Sequence, residues 1–153
     1  MRVPRSLYFA MFSFTASIGV IFGLIASLQD DLGFANSALG LIAGASFFAS
    51  FLGQLFLAPL ADRGRTKPLL LFSIILAALG TLWFALASSV WELTMARALT
   101  GLGFGAFAPA ARAIVSNIDS SRAGERLGRL AAIETSGFVT GPVIGAALNE
   151  IWG

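Results

Sequence analysis

Gly137-Phe138-Val139-Thr140-Gly141-Pro142-Val143-Ile144-Gly145-Ala146 interrupts an otherwise apolar segment, and its reading decides the fold. Three glycines recur every fourth residue, so on a helix they form one bare stripe. A helix crossing lipid gains little from apolar side chains alone, because the surrounding tails are equally apolar. Close contact between such helices comes from small residues that let backbones approach. Pro142 removes one backbone donor and presses on the carbonyl one turn earlier, which bends the helix at a defined place. In a membrane that bend is tolerated only where a neighbour or a cavity satisfies the freed carbonyl. A glycine zipper of an unrelated membrane protein is the plainer account of the same residues.

The composition around this stretch points the same way. Apolar residues make up 57% of the 153 positions and charged residues 12%, against roughly 45–50% and 25% in soluble domains. Cysteine and histidine are both absent. Disulfides, thiol chemistry, imidazole bases and the usual zinc or haem ligands are thereby excluded, and no metal or cofactor is expected. An intramembrane hydrolase would need a histidine or a pair of membrane aspartates, and the chain has neither. The net charge of +2 does not indicate nucleic acid, since the basic residues lie between membrane-length apolar runs.

About 20 helical residues cross ~30 Å of hydrocarbon. Five segments qualify: residues 7–28, 38–60, 68–87, 90–116 and 127–151. The expected fold class is an all-α, multi-pass membrane protein of five transmembrane helices, with short loops making successive helices antiparallel. Arg2 and Arg5 before the first run imitate a secretory signal, but the length of the run and the lack of a clear small-x-small cleavage site predict a retained helix.

If the helices alternate, Arg2, Arg5, Arg63, Arg65, Lys67, Arg112, Arg122, Arg126 and Arg129 share one side. The opposite loops hold Asp30, Asp31, Glu92 and Glu150 without a lysine or arginine. The positive-inside rule then places the N-terminus in the cytoplasm, and Trp83, Trp91 and Trp152 near the outer interface. Asn36 and Ser37 are expected to cap the second helix, Ser89-Val90-Trp91-Glu92 to form a capping box on the fourth, and Pro68 to occupy the first turn of the third. Gly19 with Gly23, Gly40 with Gly44, and Gly101 with Gly105 have small-xxx-small spacing, which plain helix packing explains.

Gly128, Gly137, Gly141, Pro142 and Gly145 occupy five of the six fixed positions of G-x8-G-x3-G-P-x2-G-G, with Ala146 at the last. In this the chain resembles proton-coupled drug exporters of the major facilitator superfamily, whose fifth helix carries that signature. A second likeness is the loop Ala58 to Pro68, which resembles the family pattern G-x-L-a-D-R-x-G-R-R/K through Leu60, Ala61, Asp62, Arg63 and Lys67. It departs at Ala58, which replaces the opening glycine, and at Gly64-Arg65, which come one position early. A third is Arg97 followed by Gly101, Gly103 and Gly105, which resembles the family's fourth-helix pattern.

The resemblance implies one six-helix half of a twelve-helix transporter, with alternating access by rocking of two halves. It also implies that Asp62, Arg63, Gly64, Arg65 and Lys67 form a cytoplasmic gating loop that latches the outward-facing state. Without the family, that loop reads as a positive-inside anchor with one incidental acid.

Arg97 lies about a turn inside the outer end of its helix, and a charge there costs at least ~2.5–3.5 kcal/mol unless paired, hydrated or snorkelling. Snorkelling to the interface is one account; facing a water-filled cavity, where Arg97 binds an anionic substrate group or tunes a proton-carrying acid, is the other. The glycines below it widen that cavity or let another helix close in. Glu134 lies roughly 12 Å above the cytoplasmic end of its helix, at about 1.5 Å per residue. It is expected either to carry protons for coupling or to be a structural acid beside the glycine stripe.

The resemblance therefore implies a secondary transporter working in a bacterial inner membrane. Its expected partners are a small-molecule substrate, protons, the lipid bilayer and a missing C-terminal half, with no nucleic acid. Export of small amphipathic molecules is expected from the fifth-helix pattern. Uptake of a sugar, organic acid or other metabolite is the alternative, because no acid stands on the first helix. A five-helix chain is further expected to be a fragment or a truncated frame, and a non-transporting scaffold is the remaining class.

Overall fold

The computed structural model describes residues 3–118 and 120–152, without the side chains of Ala26, Asp31, Ser120 and Trp152. The expectations for Arg2, Gly153 and the Asp31 and Trp152 side chains lie outside the described residues. Five helices follow one another: α1 (Arg5–Leu32), α2 (Asn36–Asp62), α3 (Thr66–Leu86), α4 (Val90–Ile118) and α5 (Ala123–Trp152), with a 3-10 turn over Ser120–Arg122 before the last. There is no strand among the described residues. Each helix holds a stretch long and apolar enough to cross a membrane, the shortest being the 21 residues of Arg5–Ile25 and Thr66–Leu86, about 30 Å of rise.

Local chemistry sets the helix ends. The Ser89 amide and hydroxyl both donate to the Glu92 carboxylate at 3.1 Å, while the Glu92 amide donates to Ser89 Oγ at 3.3 Å, which is the expected capping box. Pro68 is the third residue of α3, where a missing amide costs nothing. The expected cap of α2 is not what forms. Ala35 is its N-cap, extended at φ −66 and ψ 151 with no side-chain cap bond. Asn36 and Ser37 are thus already helical, one step too far along to serve as the capping residue.

At the other end of α2, Gly64 adopts φ +79. Its amide donates to the Ala61 carbonyl at 3.0 Å, and the Arg65 amide to the Leu60 carbonyl at 3.0 Å. That pair of bonds is a Schellman termination, which wants glycine at the left-handed position. The early glycine of this loop therefore sits where the backbone needs it.

The chain forms two compact units. One holds α1 and α5, running parallel, since Ala16 and Gly19 meet Gly141, Val20 meets Gly145 and Ser27 meets Asn149. The other holds α2, α3 and most of α4. There α2 and α4 run parallel, Ser46 meeting Gly101 and Ser50 meeting Gly105, while α3 runs antiparallel to α4, Gly80 meeting Thr100 and Ser73 meeting Gly103. In this unit Ala61, Leu69, Ala106 and Ala110 form a buried cluster at the end that carries the 62–67 turn.

Candidate functional site

The glycine stripe of α5 lies against α1. A Cβ on Gly141 would stand 2.5 Å from the Ala16 carbonyl oxygen and 2.6 Å from the Gly19 Cα, so only glycine fits. Gly137 faces the Phe12 carbonyl and Thr15 Oγ1, and Gly145 faces the Val20 carbonyl. The row extends one period further than its glycines, because Asn149 Nδ2 donates to Ser27 Oγ at 2.9 Å. Pro142 leaves the Phe138 carbonyl without its helical donor. That oxygen points at Gly19, 2.8 Å from where a Cβ would be, so the freed acceptor meets a bare Cα, a weak but recurrent helix–helix contact. Phe22 and Phe138 pack edge to face beside it, their ring centroids 5.8 Å apart. Gly128 takes no part: nothing lies within 4 Å of its Cβ position.

The glycines of α4 split between two neighbours. Gly101 and Gly105 meet the carbonyls of Ser46 and Ser50 on α2, whereas Gly103 faces the Ser73 carbonyl of α3 at 2.9 Å from its Cβ position. Of the two expectations for these glycines, the approach of another helix is the one observed. Ser46, Ser50 and Gly53 on α2, and Ser73 and Gly80 on α3, complete these contacts and are all buried. They went unread in the sequence, although Ser46 and Ser50 already show the four-residue spacing of small residues that signals such a seam.

Arg97 is the largest fully buried side chain, 1% exposed. It precedes Gly101 by one turn, on the arc of α4 between the α2-facing and α3-facing rows. Its guanidinium is thus enclosed within the protein. Glu134 on α5 is half-buried. Asp62, Arg63, Gly64, Arg65 and Lys67 are exposed at the α2–α3 turn. Gly137, Gly141, Pro142 and Gly145 thus fall in an α5 seam, Arg97, Gly101, Gly103 and Gly105 in an α4 core, and residues 62–67 on an exposed turn, while Gly128 and Glu134 stand nearer the start of α5.

In the α2–α4 unit the faces left over from these seams are apolar and uncovered. Phe48, Phe51 and Phe56 on α2 are 64%, 59% and 68% exposed, and Leu71, Ile75 and Leu79 on α3 are more than half exposed. Water is a poor solvent for such a surface, and lipid tails or further protein are good ones.

The family profile of the Major Facilitator Superfamily matches residues 7–153. The chain belongs to this superfamily. Quinolone resistance protein NorA of Staphylococcus aureus is 28% identical over 146 residues, which is 95% of this chain. Multidrug resistance protein MdtG of Proteus mirabilis is 30% identical over 153 residues, 96% of this chain. The chain spans 38% of the length of each. Superfamily membership and five apolar helices make this an integral membrane protein.

Proposed function

We propose that the chain is the N-terminal part of a secondary transporter that exports small amphipathic molecules from a bacterial cytoplasm, driven by protons. The observation that carries this reading is the α5 row Gly137, Gly141, Pro142 and Gly145, seated backbone to backbone on α1. The names of NorA and MdtG, which refer to resistance to quinolones and to many drugs, support export over uptake.

In this reading Arg97 is an interior cation that binds an anionic group or tunes a proton-carrying acid, Glu134 is the coupling acid, and the 62–67 turn is the cytoplasmic latch with the N-terminus on the same side. Glu134 suits that role as a half-buried carboxylate inside a membrane-length helix.

The full-length protein in liposomes, with ethidium as the transported cation and an imposed pH gradient, tests this. The wild type should concentrate the dye against its gradient. Glu134→Gln should still bind and equilibrate it but lose the uphill component. If Glu134→Gln keeps a full pH-driven gradient, Glu134 is structural. If the dye never moves while a sugar or organic acid does, the export reading gives way to uptake. Ser37→Cys and Ser121→Cys check the topology: an impermeant thiol reagent should label the first and not the second in intact cells.

A further inference from the structure

The face of α5 that carries the glycine row does not end at Gly137. Stepping back by three and four residues gives Ile133, Leu130 and then Arg126, so the same face that is bare in the middle of the helix becomes cationic at its start. On α1 the corresponding face runs from Gly19 through Thr15 and Phe12 to Tyr8 and Arg5. At the N-terminal ends of the two helices the seam opens into a cavity of about 490 Å³, lined by Val3, Arg5, Tyr8, Arg122, Glu125, Arg126 and Arg129. That volume falls within the ~300–1,000 Å³ of small-ligand pockets.

The electrostatics of this cavity run against what helix starts prefer. First turns favour acids, because unsatisfied amides leave a partial positive charge there. Here two helix starts, of a 28-residue and a 30-residue helix, converge on a space lined by four guanidinium groups and one carboxylate. The carboxylate does little to offset them. Glu125 approaches Arg122 Nε at 3.7 Å, with both side chains more than 60% exposed, a geometry in which ion pairs contribute little. Orientation by positive charge requires only that these residues lie on one side of the membrane. It does not require residues from α1 and α5 to line one concavity, with a tyrosine among them.

We propose that this cavity binds a phosphate group. Arginine suits the role, since its planar fork holds phosphate through paired hydrogen bonds and the two helix starts add to the attraction. The cavity lies at the end of two membrane helices, where an anionic phospholipid presents its headgroup phosphate at high local concentration. A soluble phosphate offers the same chemistry, and the experiment separates the two sources.

The full-length protein in neutral detergent is titrated with dioleoyl phosphatidylglycerol, dioleoyl phosphatidylcholine or inorganic phosphate, and bound species are counted by native mass spectrometry. Phosphatidylglycerol should bind well ahead of phosphatidylcholine. Arg126→Gln/Arg129→Gln should weaken it by roughly 25-fold, on the basis of about five-fold for each arginine near an anionic headgroup. Arg65→Gln/Lys67→Gln removes the same charge from the exposed α2–α3 turn and should change it by less than about two-fold. Millimolar inorganic phosphate that displaces the lipid competitively identifies a site for soluble phosphate; no displacement identifies the headgroup.

Equal losses in the two double variants would reduce the effect to diffuse charge and overturn the proposal, as would the absence of both a phosphatidylglycerol preference and phosphate binding. If Arg126→Gln/Arg129→Gln loses helicity by circular dichroism, Arg126→Lys/Arg129→Lys decides. It keeps the charge and loses the fork, so a several-fold loss upholds the site and unchanged affinity refutes it.

Discussion

Gly19 and Gly23 on α1 and Gly40 and Gly44 on α2 carry the same spacing in equally apolar surroundings, yet they end differently. The first pair is filled. A Cβ on Gly19 would stand 2.8 Å from the Phe138 carbonyl and 2.9 Å from the Gly141 Cα, and one on Gly23 would run into the Pro142 carbonyl. Around the Gly40 and Gly44 Cβ positions nothing lies within 4 Å. Four-residue spacing of glycine is therefore a permission for close approach rather than a record of it. What converts permission into contact is a complementary row on a second helix in register, which α1 finds in Gly137, Gly141, Gly145 and Asn149.

The sharpest way to break this contrast is to fill the α1–α5 seam. Gly141→Leu places a branched side chain against the Ala16 carbonyl and the Gly19 Cα, backbone that cannot turn aside. It should cost about 3 kcal/mol or more, the upper end of overpacking penalties, and lower the melting temperature of the detergent-purified protein or abolish its expression. A Gly141→Leu protein as stable as the wild type would mean that the seam is not formed.

The exposed turn responds through its backbone instead. Gly64→Ala forces a Cβ into the left-handed region at φ +79 with open space around it, so the expected loss is about 1–2 kcal/mol, all of it conformational. Gly64→Asn, which tolerates that region better, should recover part of it on the same melting curve. If alanine and asparagine behave alike, contact rather than conformation holds this turn.

Asn149→Ala removes the hydrogen bond to Ser27 at the far end of the α5 row. Bonds between membrane helices average about 0.6 kcal/mol, and a loss of that order is expected. Ser27→Ala combined with Asn149→Ala should be no worse than either change alone, and a double-mutant cycle measures this directly.

Gly40→Ala should have the smallest effect and the opposite tendency, neutral or stabilising by up to about 1 kcal/mol through helix propensity alone. Gly44→Ala is its replicate. A marked loss at either position in the full-length protein would show that protein outside residues 1–153 packs on that face of α2, and the contrast between the two glycine pairs would then disappear.

Much of this molecule was legible without coordinates because lipid imposes a severe condition: every backbone polar group must be satisfied within a helix or by a neighbour. Apolar runs of about 20 residues had to be helices, and the residues between them announced the ends, as the Ser89–Glu92 box and Pro68 show. Asn36 and Ser37 misled because capping residues signal within a residue or two, and only the backbone of Ala35 decides which position serves. Arg97 stood out as an expensive charge, but charge patterning alone left it either buried or snorkelling.

Partnership was decided by tertiary structure alone. Spacing every fourth residue puts Gly101 and Gly105 on one face and Gly103 on another, but which helix each meets depends on how three long rods settle together. The sequence carries the shape of each face and not the identity of what covers it. The arginines at the starts of α1 and α5 illustrate the same limit, since more than a hundred residues separate them along the chain. In sequence they are orientation signals; the parallel pairing of the first and last helices brings them around one cavity. Helix formation is local, settled within a few residues by hydrogen bonds and lipid solvation, whereas pairing is a global choice among many small-residue faces of similar attraction, and only the packed chain records which choice prevailed.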